Sequence, residues 1–276
     1  MGSSTSHQKD FPANPKDKAG YHLQFCDDFQ GDSLNTANWL TTYLPQWASR
    51  ASTQPRYSLV NGQLHLRIDQ DQQPWSPEYN GNIRVSNLQT GCYSGPVGSR
   101  LGQHPFRNDL IVKEAQPTVK LYTPTYGYIE TRLKAVALPG YLSALWMIGV
   151  EEDPSQSAEI CICEIKGENV GAHTSQIGYG LHPFNDPTIT DAFYEDLIDI
   201  NAAQFHVYAV DWMPDKVAFY IDNEHIRTIP QSPTYSMQLM LNIYELPDAL
   251  APASSAAPFP KTMIVDYVRG YQKVDR

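Results

Sequence analysis

Glu159 and Glu164 stand five positions apart in Ala158-Glu159-Ile160-Cys161-Ile162-Cys163-Glu164-Ile165, a run otherwise apolar enough for a buried strand. Glutamate is almost never fully buried without a partner or a purpose, so both side chains are expected to face a solvent-filled cleft. Two such carboxyls can cleave a glycosidic bond with retention. One attacks the anomeric carbon, and the other protonates the leaving oxygen and later activates water. Like charge nearby pushes one pKa upward and so supplies the acid.

Pleating opposes this arrangement. An odd separation puts the two positions on opposite faces of a regular strand, and a β-bulge between them would restore a common face. After one bulge the pair is separated by roughly 13 Å along the strand, whereas retention needs carboxyls about 5–5.5 Å apart. The side chains must therefore lean together on a concave sheet. The plain alternative is two glutamates on the solvated face of a strand, since short motifs match by chance.

The rest of the chain must supply that sheet. From Tyr21 on, β-rich or alternating segments recur, among them Ser58 to Ile68, Gly127 to Ala135, Ser143 to Val150, Phe205 to Trp212 and Thr262 to Gln272. Turn signals separate them at Asn61-Gly62, Pro139-Gly140, Pro214-Asp215 and Asp222-Asn223. The 21 Pro and 17 Gly are spread along the 276 residues rather than clustered, as many short strands require. Only Asp191 to Ile200 hints at a helical turn. The pattern predicts an all-β sandwich or jelly roll in one domain, residues 21–276, which fits because such domains often run to about 200–250 residues. Residues 1–20 are polar, lack an apolar signal-peptide core, and are expected to form a loose tail. The irregular stretch from Thr90 to Pro124 is too long for a passive connection and predicts a functional loop.

Composition narrows the partner. A net charge of −10 leaves no basic stripe for phosphates, which argues against nucleic acid. No run reaches the roughly 20 apolar residues of a membrane span. An acidic surface with 17 Tyr and 5 Trp suits a neutral polymer. Cys26 and Cys92 could pair. Cys161 and Cys163, which would share a face of a regular strand, read as free thiols.

AEICICEIKG resembles the Glu-x-Asp-x-x-Glu strand of glycoside hydrolase family 16, the laminarinase and β-glucanase group. FCDDFQGDSLNTANW (25–39), NGQLHLRI (61–68), YGYIETRLKA (126–135), PGYLSALWMIG (139–149), FHVYAVDWMPDKVAFYIDNEHIRT (205–228) and MIVDYVRGYQ (263–272) are similar to that family's blocks, in the family's order. The resemblance runs from about Tyr21 to Lys273. It implies a concanavalin-like jelly roll of two antiparallel sheets whose concave cleft holds the glycan. It implies Glu159 as nucleophile and Glu164 as acid/base, with Cys161 where the family carries Asp. A thiol is a weak donor and acceptor, and loss of a nearby negative charge tends to lower the pKa of the glutamates.

The resemblance also raises binding candidates. Trp146 could stack on a sugar ring or simply fill core, and His182 could bond a hydroxyl or be a surface histidine. Asn82 and Arg84 lie near a sugar-contacting position but could equally be a solvated strand face. Trp47, with Tyr43, Trp75 and Tyr79, could wall the cleft or pack a loop. Asp266 occupies the place of a structural Ca²⁺ ligand in the closing strand, and no cofactor is expected for catalysis. The implied activity is a secreted, monomeric retaining endo-β-glycosidase acting on a polysaccharide or oligosaccharide, β-1,3- or mixed-linkage glucan above all. Galactan-type substrates occur in the same family. A transglycosylase on the same scaffold and a non-catalytic lectin-like sandwich are the alternatives.

Overall fold

The computed structural model describes residues 9–274. Among them run sixteen strands: β1 (Tyr21–Asp27), β2 (Arg56–Val60), β3 (Gln63–Ile68), β4 (Arg84–Gln89), β5 (Gly91–Cys92), β6 (Val119–Lys120), β7 (Gly127–Lys134), β8 (Tyr141–Gly149), β9 (Glu159–Lys166), β10 (Ser175–His182), β11 (Ala192–Ile198), β12 (His206–Trp212), β13 (Val217–Ile221), β14 (Glu224–Ile229), β15 (Met237–Glu245) and β16 (Lys261–Lys273). They form a β-jelly-roll sandwich. One sheet has eight strands in the order β14-β13-β12-β7-β16-β3-β2, with β1 also paired to β16. The other has six in the order β11-β10-β9-β8-β15-β4. The first and last strands pair with each other, so the larger sheet needs both ends of the chain.

Alternation decides the layers. Leu64, Leu66, Ile129, Leu133, Leu145, Met147, Ile160 and Ile162 point between the sheets and are buried there. Truncating any of these Leu or Ile side chains to alanine is expected to cost about 2–5 kcal/mol. A second apolar cluster covers the outer face of the six-stranded sheet. There Ala144, Trp146, Ile148, Cys161 and Met240 meet loop residues including Tyr43, Trp47, Trp75 and Tyr79. The predicted turns are present: Asn61-Gly62 has φ of 53° and 70°, and Asp222-Asn223 has 51° and 68°, the double left-handed geometry of tight hairpins.

Three expectations are corrected. Asp191 to Ile200 holds no helix; β11 pairs along β10 from Ser175↔Ile198 to Leu181↔Ala192, an open edge strand whose pairing overrides local preference. Residues 10–20 are not a loose tail. Phe11 N donates to the Phe205 carbonyl at 2.7 Å, Arg132 Nε donates to the Phe11 carbonyl at 2.8 Å, and Asn14 Nδ2 donates to Glu130 Oε2 at 2.9 Å. The buried pair Arg269 and Glu130, 3.5 Å apart, requires further polar partners, and Arg269 Nη1 donates to the Asn14 carbonyl at 2.7 Å. Residues 1–8 of the expected tail lie outside the described residues. All four cysteines are free, so Cys26 and Cys92 do not pair.

Candidate active site

Along β9 the pairing with β8 runs Ile148↔Glu159, Met147↔Ile160, Trp146↔Cys161 and then Leu145↔Cys163. Ile162 is the extra residue of a β-bulge. Ile162 and Cys163 both turn into the core, and Cys161 lies on the outer face. The bulge therefore separates the two cysteines that a regular strand would put together. It also places Glu159, Cys161 and Glu164 on one side. Opposite Cys161 sits Gly180 at φ 142°, where a Cβ would fall 2.2 Å from the Ala192 carbonyl, so this position of β10 requires glycine.

Glu159 and Glu164 line one cavity of about 300 Å³ with Tyr43, His104, Trp146, His182, Phe184 and Tyr244. Glu159 is only 6 % exposed. The Cys161 thiol donates to Glu159 Oε2 at 3.7 Å. Burial, and then the charge of Glu164, pushes the Glu159 carboxyl well above the ordinary range, against the pull of the thiol. Burial raises Glu164 too, opposed by the Cys161 hydrogen bond and by His182. Desolvation thus outweighs the lowering that a missing neighbouring carboxylate would bring.

Trp146 and His182 both line this cavity. Trp146 Nε1 donates to Asn242 Oδ1 at 3.2 Å, and Asn242 Nδ2 donates to the Tyr244 hydroxyl at 2.9 Å. Tyr244 in turn donates to the Tyr43 hydroxyl at 3.0 Å. That chain fixes the ring planes of the cavity wall. His182 Nδ1 is 2.7 Å from Asp191 Oδ1, and its ring stacks on Phe193 at 4.7 Å.

Three expected sugar-binding residues lie elsewhere, and the expected Ca²⁺ ligand is otherwise engaged. Arg84 forms a paired contact with Glu245, with Nη2 at 2.6 Å and Nε at 2.7 Å, and donates to the Asp69 carbonyl at 2.9 Å. Its charge is used in joining β4 to β15. Asn82 sits exposed in the preceding turn and does not line the cavity. Trp47 is 1 % exposed, and its Nε1 donates to the Gln103 carbonyl at 2.8 Å; it packs the loop. Asp266 Oδ2 accepts from Arg132 Nη1 at 2.8 Å. Ca²⁺ takes six to eight oxygen ligands, and a lone carboxylate already neutralised by a guanidinium does not fit that ion.

The sequence reading missed His104, Glu151 and Phe184. His104 Nδ1 lies 3.3 Å from Glu159 Oε1, and burial pushes its pKa down to about 4, so the ring is neutral. Its backbone N–H donates to Glu151 Oε1 at 2.6 Å. Both residues hold left-handed backbone, φ 50° and 58°, uncommon for side chains of this size and frequent at functional sites. Burial pushes Glu151 up to about 8, and its Oε2 has no partner. Phe184 stands 44 % exposed at the rim, edge-on to His104 at 4.9 Å. The only signal for His104 was its place in the long loop after Thr90.

The profile of glycosyl hydrolases family 16 matches residues 118–268, more than half of the chain and both glutamates. This chain belongs to that family. Among its members, the chain is 25 % identical to glucan endo-1,3-beta-glucosidase A1 of Niallia circulans, over 92 % of its own length and 38 % of that protein's. A Crh-like protein of Arthroderma benhamiae is 30 % identical over 38 % of this chain and 20 % of its own. The chain thus spans between a fifth and two fifths of these relatives. Among solved structures, a GlcNAcα1-4Gal releasing endo-β-galactosidase from Clostridium perfringens superposes with a TM-score of 0.83 at 31 % identity, covering 96 % of this chain and 66 % of that one. A laminarinase catalytic domain from Thermotoga petrophila shares the fold, with a TM-score of 0.66 at 18 % identity over 92 % of this chain and 99 % of its own.

Proposed function

We propose that this protein is a retaining endo-β-glycosidase that hydrolyses a β-linked polysaccharide, with β-1,3- or mixed-linkage glucan the favoured substrate. The observation that carries this reading is the bulge at Ile162, which turns Glu159 and Glu164 into one aromatic-walled cavity. The carboxyls are coupled, and a single proton between them titrates as a property of the pair. The Cys161 thiol donates to Glu159, and the neutral His104 ring lies with Nδ1 3.3 Å from the same carboxyl. The thiol pulls Glu159 toward the anion that a nucleophile needs, against the larger rise that burial and the charge of Glu164 give it; its place at the head of the strand motif assigns Glu159 the attack, with the shared proton on Glu164.

In the first step a Glu159 oxygen forms a bond to the anomeric carbon, the glycosidic C–O bond breaks, and the Glu164 proton passes to the leaving oxygen. In the second, Glu164 takes a proton from water, the hydroxide oxygen bonds the same carbon, and the ester to Glu159 breaks. Trp146 and Phe184 offer apolar faces to sugar rings. A polysaccharide substrate is met outside the cell, which fits a secreted enzyme.

A glucanase among the relatives supports the glucan reading. The endo-β-galactosidase, similar over nearly the whole chain, supports a galactose-containing glycan as the second reading. A panel of β-glucans and β-galactosides, assayed for reducing ends with the products sized, separates the two. Sugar binding without product from any of them would overturn the hydrolase assignment.

A further inference from the structure

Three donors of different chemistry converge on one point of the cavity. A Glu159 oxygen, the Cys161 sulfur and a His182 ring nitrogen all lie within 4.8 Å of one another. Zn²⁺ binds carboxylate oxygen and imidazole nitrogen at about 2.0–2.2 Å and thiolate sulfur at about 2.3 Å, which sets tetrahedral ligands about 3.4–3.8 Å apart. The three atoms need to close by at most about 1.4 Å, within the reach of side-chain adjustment.

A second observation shows that His182 is held as a ligand would be. Its Nδ1 pairs with Asp191 at 2.7 Å, and its ring lies flat on Phe193. A carboxylate on the far nitrogen is how metal-binding histidines are oriented and made more basic. Glu164 lines the same cavity, and it or a water can fill the fourth position. A mixed oxygen, nitrogen and sulfur set rejects Ca²⁺ and Mg²⁺, which prefer all-oxygen sites. A bound divalent cation inverts the protonation preferences of such a cavity and deprotonates a coordinating thiol outright.

We infer that the Glu159–Cys161–His182 cluster is a binding site for Zn²⁺ or another thiophilic divalent cation, and that its occupancy switches the enzyme off. The metal takes the carboxylate that must attack and displaces the proton of Cys161 to solvent. Metal and glycan exclude each other. The inhibitory consequence rests on the hydrolase reading; the binding itself does not.

The test measures binding directly. Co²⁺ added to the metal-free protein is expected to give a thiolate-to-metal charge-transfer absorption, and Zn²⁺ to displace it. Cys161→Ala should abolish the absorption and weaken Zn²⁺ at least tenfold. Asp191→Asn, which leaves all three donors, should weaken it about tenfold through the orientation of His182. Circular dichroism on each variant confirms the fold, and Asp191→Asn still decides the matter should Cys161→Ala fail to fold. Absence of the absorption, or Zn²⁺ affinity unchanged in Asp191→Asn or in folded Cys161→Ala, overturns the site. Zn²⁺ bound as expected while hydrolysis continues undiminished overturns the switch, and chelator should restore activity if the switch holds.

Discussion

His104 Nδ1 lies 3.3 Å from Glu159 Oε1, yet the two residues come from separate loops and strands and meet only across the cavity. The strained backbone of His104 is held at its N–H by Glu151, and the carbonyl before it, that of Gln103, accepts from Trp47 and from Gln46 Nε2 at 2.9 Å. The imidazole is therefore held against a buried carboxyl, placed to donate to it when that carboxyl ionises, a role that a thiol at position 161 fills only weakly.

Replacing His104 by alanine is expected to lower kcat about ten- to hundredfold, the worth of a hydrogen bond to a charged group. With one donor gone, the pKa of Glu159 rises, so the acidic limb of the kcat/KM profile moves to higher pH. His104→Gln keeps an N–H and should recover part of the loss. A profile that does not move in His104→Ala would show that the histidine only fills space.

Glu159→Gln should abolish turnover, and Glu164→Gln should reduce it by about 10²–10⁴ with an ordinary alkoxide leaving group. Both variants should fold, because glutamine replaces a carboxyl that burial already opposes. Proton NMR of the first product anomer checks the mechanism: retention is expected, and inversion would remove Glu159 as nucleophile.

Position 161 tests the electrostatics. Cys161→Asp adds a third carboxyl beside two that are already raised. Extra negative charge raises the pKa of its neighbours, so both limbs of the activity profile should shift to higher pH. An unchanged profile would mean that position 161 does not communicate with the pair.

Glu151 gives a stability prediction. Its carboxyl is raised from about 4.5 unfolded to about 8 folded. The folded state therefore holds its proton longer, and stability is full below pH 4.5 and lost as pH rises toward 8. Glu151→Gln keeps the acceptor for the His104 N–H and removes the ionisable group. It should raise Tm at pH 8 by an amount reflecting up to a few kcal/mol, on the order of one per pKa unit, and leave Tm unchanged at pH 4. Thermal melts at the two pH values decide it.

The strands from Tyr21 onward, the hairpins at Asn61-Gly62 and Asp222-Asn223, and the requirement for a bulge between Glu159 and Glu164 were all legible in the order of residues. Each is a local consequence of alternation, turn chemistry or pleat parity, and needs no knowledge of distant segments. Which polar side chain met which partner was not local. Arg84 was taken up by Glu245, Asp266 by Arg132, and Trp47 by the Gln103 carbonyl. The segment after residue 9 was drawn onto the sheet by a buried ion pair it could not announce, and Ala192–Ile198 became a strand because β10 offered an unpaired edge. His104 reached Glu159 for the same reason: a buried polar group needs polar neighbours, and only the folded chain determines which loop supplies them.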